Sequence, residues 1–289
     1  MLKILLTPLA RLPLRWLHSL GALLGWLVYF ASPRYAARLR ENLEKSGVCA
    51  DPAECRKLLH QAVGEAGKGA VESIAVWLRP EREVMRLIRH CHGGEHVEAA
   101  LERGKGLIFL TPHLGCFEIT SLHYAQRHPV AVLYRPPKLR WLQPLLEAGR
   151  ERGLVTLAPT DMSGVKTLLK ALKRGEAVGI LPDQTPGNGE GVWAQFFGRP
   201  AYTMTLAARL ARGTGAAVIL IYAERLKCGE GFDIWMEPLP EGLPEQPLAA
   251  ANFLNAAIES LIRKSPAQYL WSYNRYKTPS GAEPPPPSP

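Results

Sequence analysis

The run GLIFLTPHLGCFE, residues 106–118, decides how the rest of this 289-residue chain is read. Residues 107–110 are apolar, enough for one buried strand of a parallel sheet. Thr111 and Pro112 end it, because proline cannot donate to a ladder and settles at strand ends. His113 and Gly115 follow, and residues 117–126 fit an amphipathic helix. A strand, a turn and a helix in that order put the histidine at the carboxyl edge of the sheet, where open α/β sheets bind ligands. On a continuous helix, His113 and Glu118 would point about 140° apart. With His113 in the turn, Glu118 in the first helical turn can reach back and hold one ring nitrogen, leaving the other as a base. A helix N-terminus favours a carboxylate there, and a base oriented by a third group activates a hydroxyl for acyl transfer. The spacing fits equally a capping glutamate beside an unrelated surface histidine, so spacing alone leaves both open.

Outward from this stretch, strands and helices alternate. Residues 130–134 form an apolar strand ending at Arg135, 139–152 a helix, and 155–157 a short strand. Asp161 caps a helix running to 174. Residues 177–181 form another buried strand, 203–212 a helix, 217–224 a strand, and 232–236 a strand that can be antiparallel. Residues 248–264 are a strongly periodic helix. This order predicts an α/β fold with a mainly parallel central sheet and helices on both faces. Upstream, 54–78 is a long helix whose Gly64, Gly67 and Gly69 allow close packing. Residues 82–90 fit a short helix, and Gly93-Gly94 a turn before a helix at 95–103. The segment from His90 through Cys91 and His92 to His96 invites a zinc reading, but its spacing matches no established site, so we expect no metal and no cofactor. Residues 182–202 are too long for a plain connection. Their glycines and the aromatics Trp193, Phe196 and Phe197 suggest a lid or lipid-facing wall.

The chain is 47% hydrophobic, with a net charge of +9 and a pI near 9.4. It can bury one sizeable core, and it suits an anionic partner such as acidic lipid headgroups or an acidic carrier protein. Nucleic acid ranks last, since no zinc finger, RNA-recognition signature or dense basic tract is present. The five cysteines are odd in number and lack a CxxC pair, which argues for free thiols and a reducing compartment. Residues 16–31 are apolar apart from His18 and Ser19, with Lys3, Arg11 and Arg15 before them and Arg34, Arg38 and Arg40 after. The run is shorter than the roughly 20 residues of a spanning helix, and Pro33-Arg34 makes a poor signal-peptide cleavage site. We therefore expect 1–33 to be an uncleaved anchor, spanning or interfacial, at an anionic leaflet. A buried core helix is the alternative. Residues 34–278 would form the main domain, and 279–289 a disordered or polyproline tail.

HLGCFE resembles the HxxxxD/E motif of the glycerolipid-type acyltransferases. It is closer to the HLGNWE form of the lipid A late acyltransferases, the lauroyl and myristoyl transferases, with Cys116 in place of Asn and Phe117 in place of Trp. Two further blocks carry the same resemblance in the same order: Asp183-Gln184 with the FFGRPA run at 196–201, and PAQYLWSYNRYK at 266–277. The resemblance implies a glycerol-3-phosphate-acyltransferase-like fold with an N-terminal membrane-anchor helix. It implies a catalytic His113 and Glu118, with Asp183 and Gln184 as further site residues. Arg150 resembles a functional arginine of that family, while Arg135, at a strand end, is the better anion ligand on local grounds. Arg275 and Lys277 are candidates for phosphate or carrier contact. The implied donor is acyl-acyl carrier protein. The implied acceptor is a hydroxyl of an anionic, Kdo-bearing lipid A precursor at the cytoplasmic face of the inner membrane. A covalent route through Cys116 is disfavoured, since buried cysteines are usually inert, and a serine hydrolase lacks its GxSxG elbow. An enzyme with another lipid acceptor and a non-catalytic lipid-binding protein are the competing readings.

Overall fold

In the computed structural model, which describes residues 2–137 and 139–286, the strand Leu107–Leu110 is buried at every position in the middle of a seven-stranded sheet. The helical N-terminal third comprises α1 (Leu2–Ala10), α2 (Leu14–Ala31), α3 (Pro33–Glu44), α4 (Pro52–Leu78) and α5 (Glu81–Met85). Then follow β1 (Ile88–His92), α6 (Gly94–Glu102), β2 (Leu107–Leu110), α7 (Phe117–Tyr124), β3 (Val130–Tyr134), α8 (Gln143–Arg150) and β4 (Val155–Pro159). The chain continues with α9 (Met162–Lys173), β5 (Ala177–Ile180), β6 (Gly191–Phe196), β7 (Arg199–Met204), α10 (Leu206–Thr214), β8 (Ala217–Arg225), β9 (Phe232–Pro238) and α11 (Pro247–Lys264). The sheet order is β1-β9-β8-β2-β5-β3-β4. All pairings are parallel except β8 with β9. The mainly parallel α/β sheet expected from the alternation of apolar runs is thus present, and a buried cluster lies on each face.

Three expectations need correction. The helix expected at 82–90 is only α5, and the following residues form β1 at the sheet edge. An edge strand with exposed side chains has little apolar alternation to betray it. The lid expected at 182–202 is largely an antiparallel hairpin, β6 with β7. Its two-residue turn, Phe197-Gly198, takes positive φ at both positions, as the right-handed strand twist favours. Phe196 and Phe197 are buried, 2% and 5% exposed, against Tyr269 and Trp271, so they fill the core and do not cover a site. The indole of Trp193 donates to the carbonyl of Glu283 at 3.1 Å, which lays the expected tail along this hairpin as far as the described residues run. Cysteines provide the third correction: Cys49 and Cys55 form a disulfide at the start of α4, with Cα atoms 5.3 Å apart. The cysteine count therefore no longer argues for a reducing compartment.

The spanning form of the N-terminal anchor is corrected as well. Among the described residues no helix is long and apolar enough to cross a membrane. α2 packs one face on α4 through Gly21 and Gly25, which meet Gly67 so closely that a Cβ on Gly67 would lie 2.0 Å from the Gly21 carbonyl oxygen. Leu17 and His18 are buried on the same face, and His18 Nε2 lies 2.9 Å from a Glu72 carboxylate oxygen. Arg79, just beyond α4, donates to the carbonyls of Ala10 and Leu12, both at 2.6 Å, and so holds the turn between α1 and α2. The opposite face of α2 leaves Trp16, Leu23, Leu27, Val28 and Phe30 exposed.

Candidate active site

The turn after β2 is held from two sides. Gly115 has φ of 60°, and a Cβ there would lie 1.9 Å from the Ala223 carbonyl oxygen, so only glycine lets the turn approach β8 this closely. The Cys116 amide donates to that same carbonyl at 2.8 Å. From the other side, the Gly115 amide donates to Gln268 O at 3.1 Å, and the Leu270 amide donates to His113 O at 3.1 Å. The C-terminal block thus clamps the histidine turn. Below it, Arg225 at the end of β8 sits in a buried ionic cluster, donating to Glu72 at 2.7 Å and also to Glu65, while His18 bonds Glu72. Burial would push the Glu72 carboxyl up, but Arg225 and His18 outweigh it and hold it down at about 2.

His113 is oriented by Asp183, just past β5. The His113 amide donates to Asp183 Oδ2 at 2.9 Å, and the ring Nδ1 lies 2.9 Å from Oδ1. Asp183 is 3% exposed; burial alone would raise its pKa, yet the bonds and charge of His113 prevail and hold it below the ordinary carboxylate range. The second ring nitrogen, Nε2, lies 3.0 Å from the Gln184 side-chain amide. Phe117 packs on the imidazole with centroids 4.7 Å apart.

Glu118 does not hold His113, which corrects the contact expected from the spacing. Its carboxylate accepts from Arg150 Nε at 2.8 Å, from Arg150 Nη2, and from the Trp77 indole at 3.1 Å. The helix rotation that begins at Phe117 turns Glu118 toward α4 and α8. There a two-pronged guanidinium offers more and stronger bonds than a single ring nitrogen. Arg150 is in turn braced by the faces of Trp77 and Tyr134, 5.9 and 5.5 Å away.

The remaining cations separate. Arg135 is exposed at the rim of the cavity described below. Arg275, 2% exposed, donates to Tyr202 O and Thr203 Oγ1, both at 2.7 Å, and lies over the Phe196 ring. It ties the hairpin to the C-terminal block, and its burial leaves it little surface for the phosphate or carrier contact expected of it. Lys277 is exposed, its ammonium 5.5 Å from the Tyr273 ring, and lies outside the cavity lining. Cys116 is buried, and burial pushes its thiol well up, so the thiolate is disfavoured.

From His113 and Gln184 a cavity of about 450 Å³ runs along the sheet. Phe109, Val132, Leu157, Gly179 and Ile221 line its sheet side, and Leu146 and the Glu118–Arg150 pair line its helix side. Gly179 makes the room: a Cβ there would meet Val132 Cγ2 at 3.3 Å. The Tyr134 hydroxyl, also in the lining, is buried with no hydrogen-bond partner among the described residues. A mostly apolar pocket with a few convergent polar groups at one end is the usual form of a small-molecule site.

Sequence reasoning named Asp183 but did not pair it with His113, and it missed Trp77, Tyr134 and Tyr269, the last buried beside Asp183. The only signal for Tyr269 was its place in the C-terminal block; Trp77 and Tyr134 gave none beyond their positions near element ends.

The sequence model of a family described as bacterial lipid A biosynthesis acyltransferase matches residues 1–278. The chain is 29% identical over 274 residues to a lipid A biosynthesis lauroyltransferase of Escherichia coli K12, covering 93% of this chain and 87% of that protein. It is 27% identical to the lipid A biosynthesis palmitoleoyltransferase of the same organism, with the same coverage. A phosphatidylinositol mannoside acyltransferase of Mycobacterium tuberculosis is 26% identical, over 73% of this chain and 74% of its own.

Proposed function

The chain belongs to the bacterial lipid A biosynthesis acyltransferase family, and from that premise we propose that it moves a fatty acyl group from acyl-acyl carrier protein to a hydroxyl of a Kdo-bearing lipid A precursor. The observation that carries the reading is His113, fixed by Asp183 through Nδ1, with Nε2 directed to the polar end of an apolar cavity. Nε2 takes the proton of the acceptor hydroxyl as its oxygen attacks the thioester carbonyl. The tetrahedral intermediate collapses, the carbon–sulfur bond breaks, and the thiolate takes the proton back from His113. Asp183 holds the ring and stabilises the imidazolium that forms. Gln184 stands where the hydroxyl must arrive, so acceptor binding displaces its amide, which then serves as a donor to the developing oxyanion. The acyl chain lies along Val132, Gly179 and Leu157. In this reading Glu118 acts through Arg150, keeping the guanidinium over the cavity, so the expected direct His113–Glu118 dyad is replaced by His113 with Asp183. Arg135 at the rim is a cation available to an acceptor phosphate.

The exposed apolar face of α2, with Arg11 and Arg15 beside it, supports peripheral seating at the inner membrane's cytoplasmic face, where interfacial helices combine apolar and cationic contact. The experiment is transfer by the purified chain from acyl-acyl carrier protein to a Kdo-bearing precursor, read by product mass, with His113→Ala as control. The likeness to the mycobacterial enzyme favours one second reading, a phosphatidylinositol mannoside acceptor. Product with that acceptor and none with the lipid A precursor would establish it.

A further inference from the structure

The segment whose histidines match no metal motif in sequence forms β1, and the structure supplies the missing partner. A bulge between Ile88 and His90 shifts the register, so that His90 pairs with Asp233 and His92 with Trp235 on neighbouring β9. Residues two apart on a strand share a face, and bulges re-aim side chains in this way. His90, His92 and Asp233 therefore project together, each offering a ligand atom, and these atoms all lie within 4.8 Å of one another. His90 Nδ1 is 3.0 Å from Asp233 Oδ1, and His92 Nε2 is 3.8 Å from Oδ2. Donors bound at about 2.0–2.1 Å around a tetrahedral ion stand roughly 3.3 Å apart, so the cluster needs only side-chain adjustment to close on an ion.

We propose that His90, His92 and Asp233 bind a divalent transition-metal ion, zinc by preference, at the outer edge of the sheet. The donor set is two imidazoles and one carboxylate, which suits zinc and its neighbours and not magnesium or calcium. Three features favour an ion over a chance gathering. The His92 Nε2 atom is shielded from solvent, yet it finds no hydrogen-bond partner among the described residues. Its ring is held by Trp235, stacked at 4.0 Å and 19°, and the Trp235 indole is itself fixed by Glu224 at 3.1 Å. The stack fixes the plane of the His92 ring and so the direction of Nε2. The exposed His90 side leaves a fourth position for water. Cys91 pairs with Ile234 and so faces the other side of the strand, near His123, outside this donor set.

The site is separate from the acyl-transfer centre. β1 is three strands from β2 in the sheet order, roughly 14 Å across the ladder. Binding would replace the His90–Asp233 hydrogen bond with bonds to the ion and tie the edge strand to β9. The test uses the tag-free, full-length chain stripped with chelator and titrated with zinc or cobalt(II) by calorimetry. One ion per chain is expected, with a visible cobalt absorption of tetrahedral type. The thermal midpoint should rise about 5 °C when free zinc is near one hundred times Kd. His90→Gln and His92→Gln should each weaken binding at least about 10-fold, and Asp233→Asn likewise. Circular dichroism of the stripped variants confirms that they fold. Failure of the folded wild-type chain to take up one ion, or unchanged affinity in both histidine variants, overturns the assignment.

Discussion

Replacing Asp183 with asparagine separates the two carboxylates that flank the site. Asparagine keeps the shape and one acceptor oxygen, but it removes the charge that faces the imidazolium of the proposed transfer. That charge is buried and touches the ring at 2.9 Å. At an effective dielectric of about 20, unit charges at such a distance attract by at most about 6 kcal/mol. The asparagine oxygen retains part of the hydrogen bond, and oriented general bases contribute roughly 10²–10⁴-fold. A fall of that size in kcat is expected, equivalent to about 3–5 kcal/mol, with little change in KM. Glu118→Gln is the comparator, because Glu118 bonds Arg150 and Trp77 and does not touch His113. Its cost should fall mainly on KM, as the guanidinium loses its anchor above the cavity. The assay is steady-state transfer with each substrate varied, together with thermal unfolding to show that both variants fold. If Asp183→Asn stays within about 5-fold of wild type while Glu118→Gln loses about 1,000-fold in kcat, the assignment of Asp183 as the orienting group is wrong.

Cys116→Ser should keep most activity, because the thiol is buried with its pKa pushed up; a folded but inactive variant would point to a covalent acyl intermediate. Gly179→Val should shift donor preference toward shorter chains, by about 10-fold for a two-carbon difference, in competition assays with ten-, twelve- and fourteen-carbon thioesters. An unchanged profile would put the acyl chain elsewhere. Gly67→Val should destabilise the protein by roughly 1–3 kcal/mol, seen as a lowered thermal midpoint, because its side chain meets the α2 backbone. For Glu72, the folded pKa is depressed from 4.5 to about 2, so its contribution is present above pH 4.5 and is lost as pH falls toward 2. That contribution is about 3 kcal/mol, and Glu72→Gln should flatten the acid limb of a stability curve measured by denaturant titration.

The parts of the fold legible in the sequence were those whose side chains all share one environment. β2 and β5 are buried at every position, so an unbroken apolar run was enough to mark them as buried strands. β1 escaped because an edge strand carries Arg89, His90 and His92 as readily as apolar residues, and its bulge breaks the alternation. The hairpin of β6 and β7 was hidden by its own turn signals: four glycines and three prolines in 182–202 suggested loop. What makes it a hairpin is the burial of Phe196 and Phe197 against Tyr269 and Trp271, far later in the chain. α2 was legible as apolar but not as packed, since the glycine contact with α4 depends on the facing helix and not on α2 itself.

The site shows the same division between local and distant information. His113 could be found because a strand, a turn and a glycine announce a sheet edge within a few residues. Its partner could not be chosen, because Glu118 and Asp183 compete and the choice is set by where Arg150 lies. α8 brings that guanidinium to the first turn of α7, where two charge-assisted bonds capture Glu118. β5 lies next to β2 in the sheet, so the residue just past its end meets the histidine turn directly. Spacing in sequence therefore nominated the nearer carboxylate, whereas strand order delivered the farther one. The same logic separates Arg150 from Arg275: one guanidinium faces an open cavity, and the other is consumed by two backbone-proximal bonds beneath the hairpin. Only the first retains a surface that a substrate can reach.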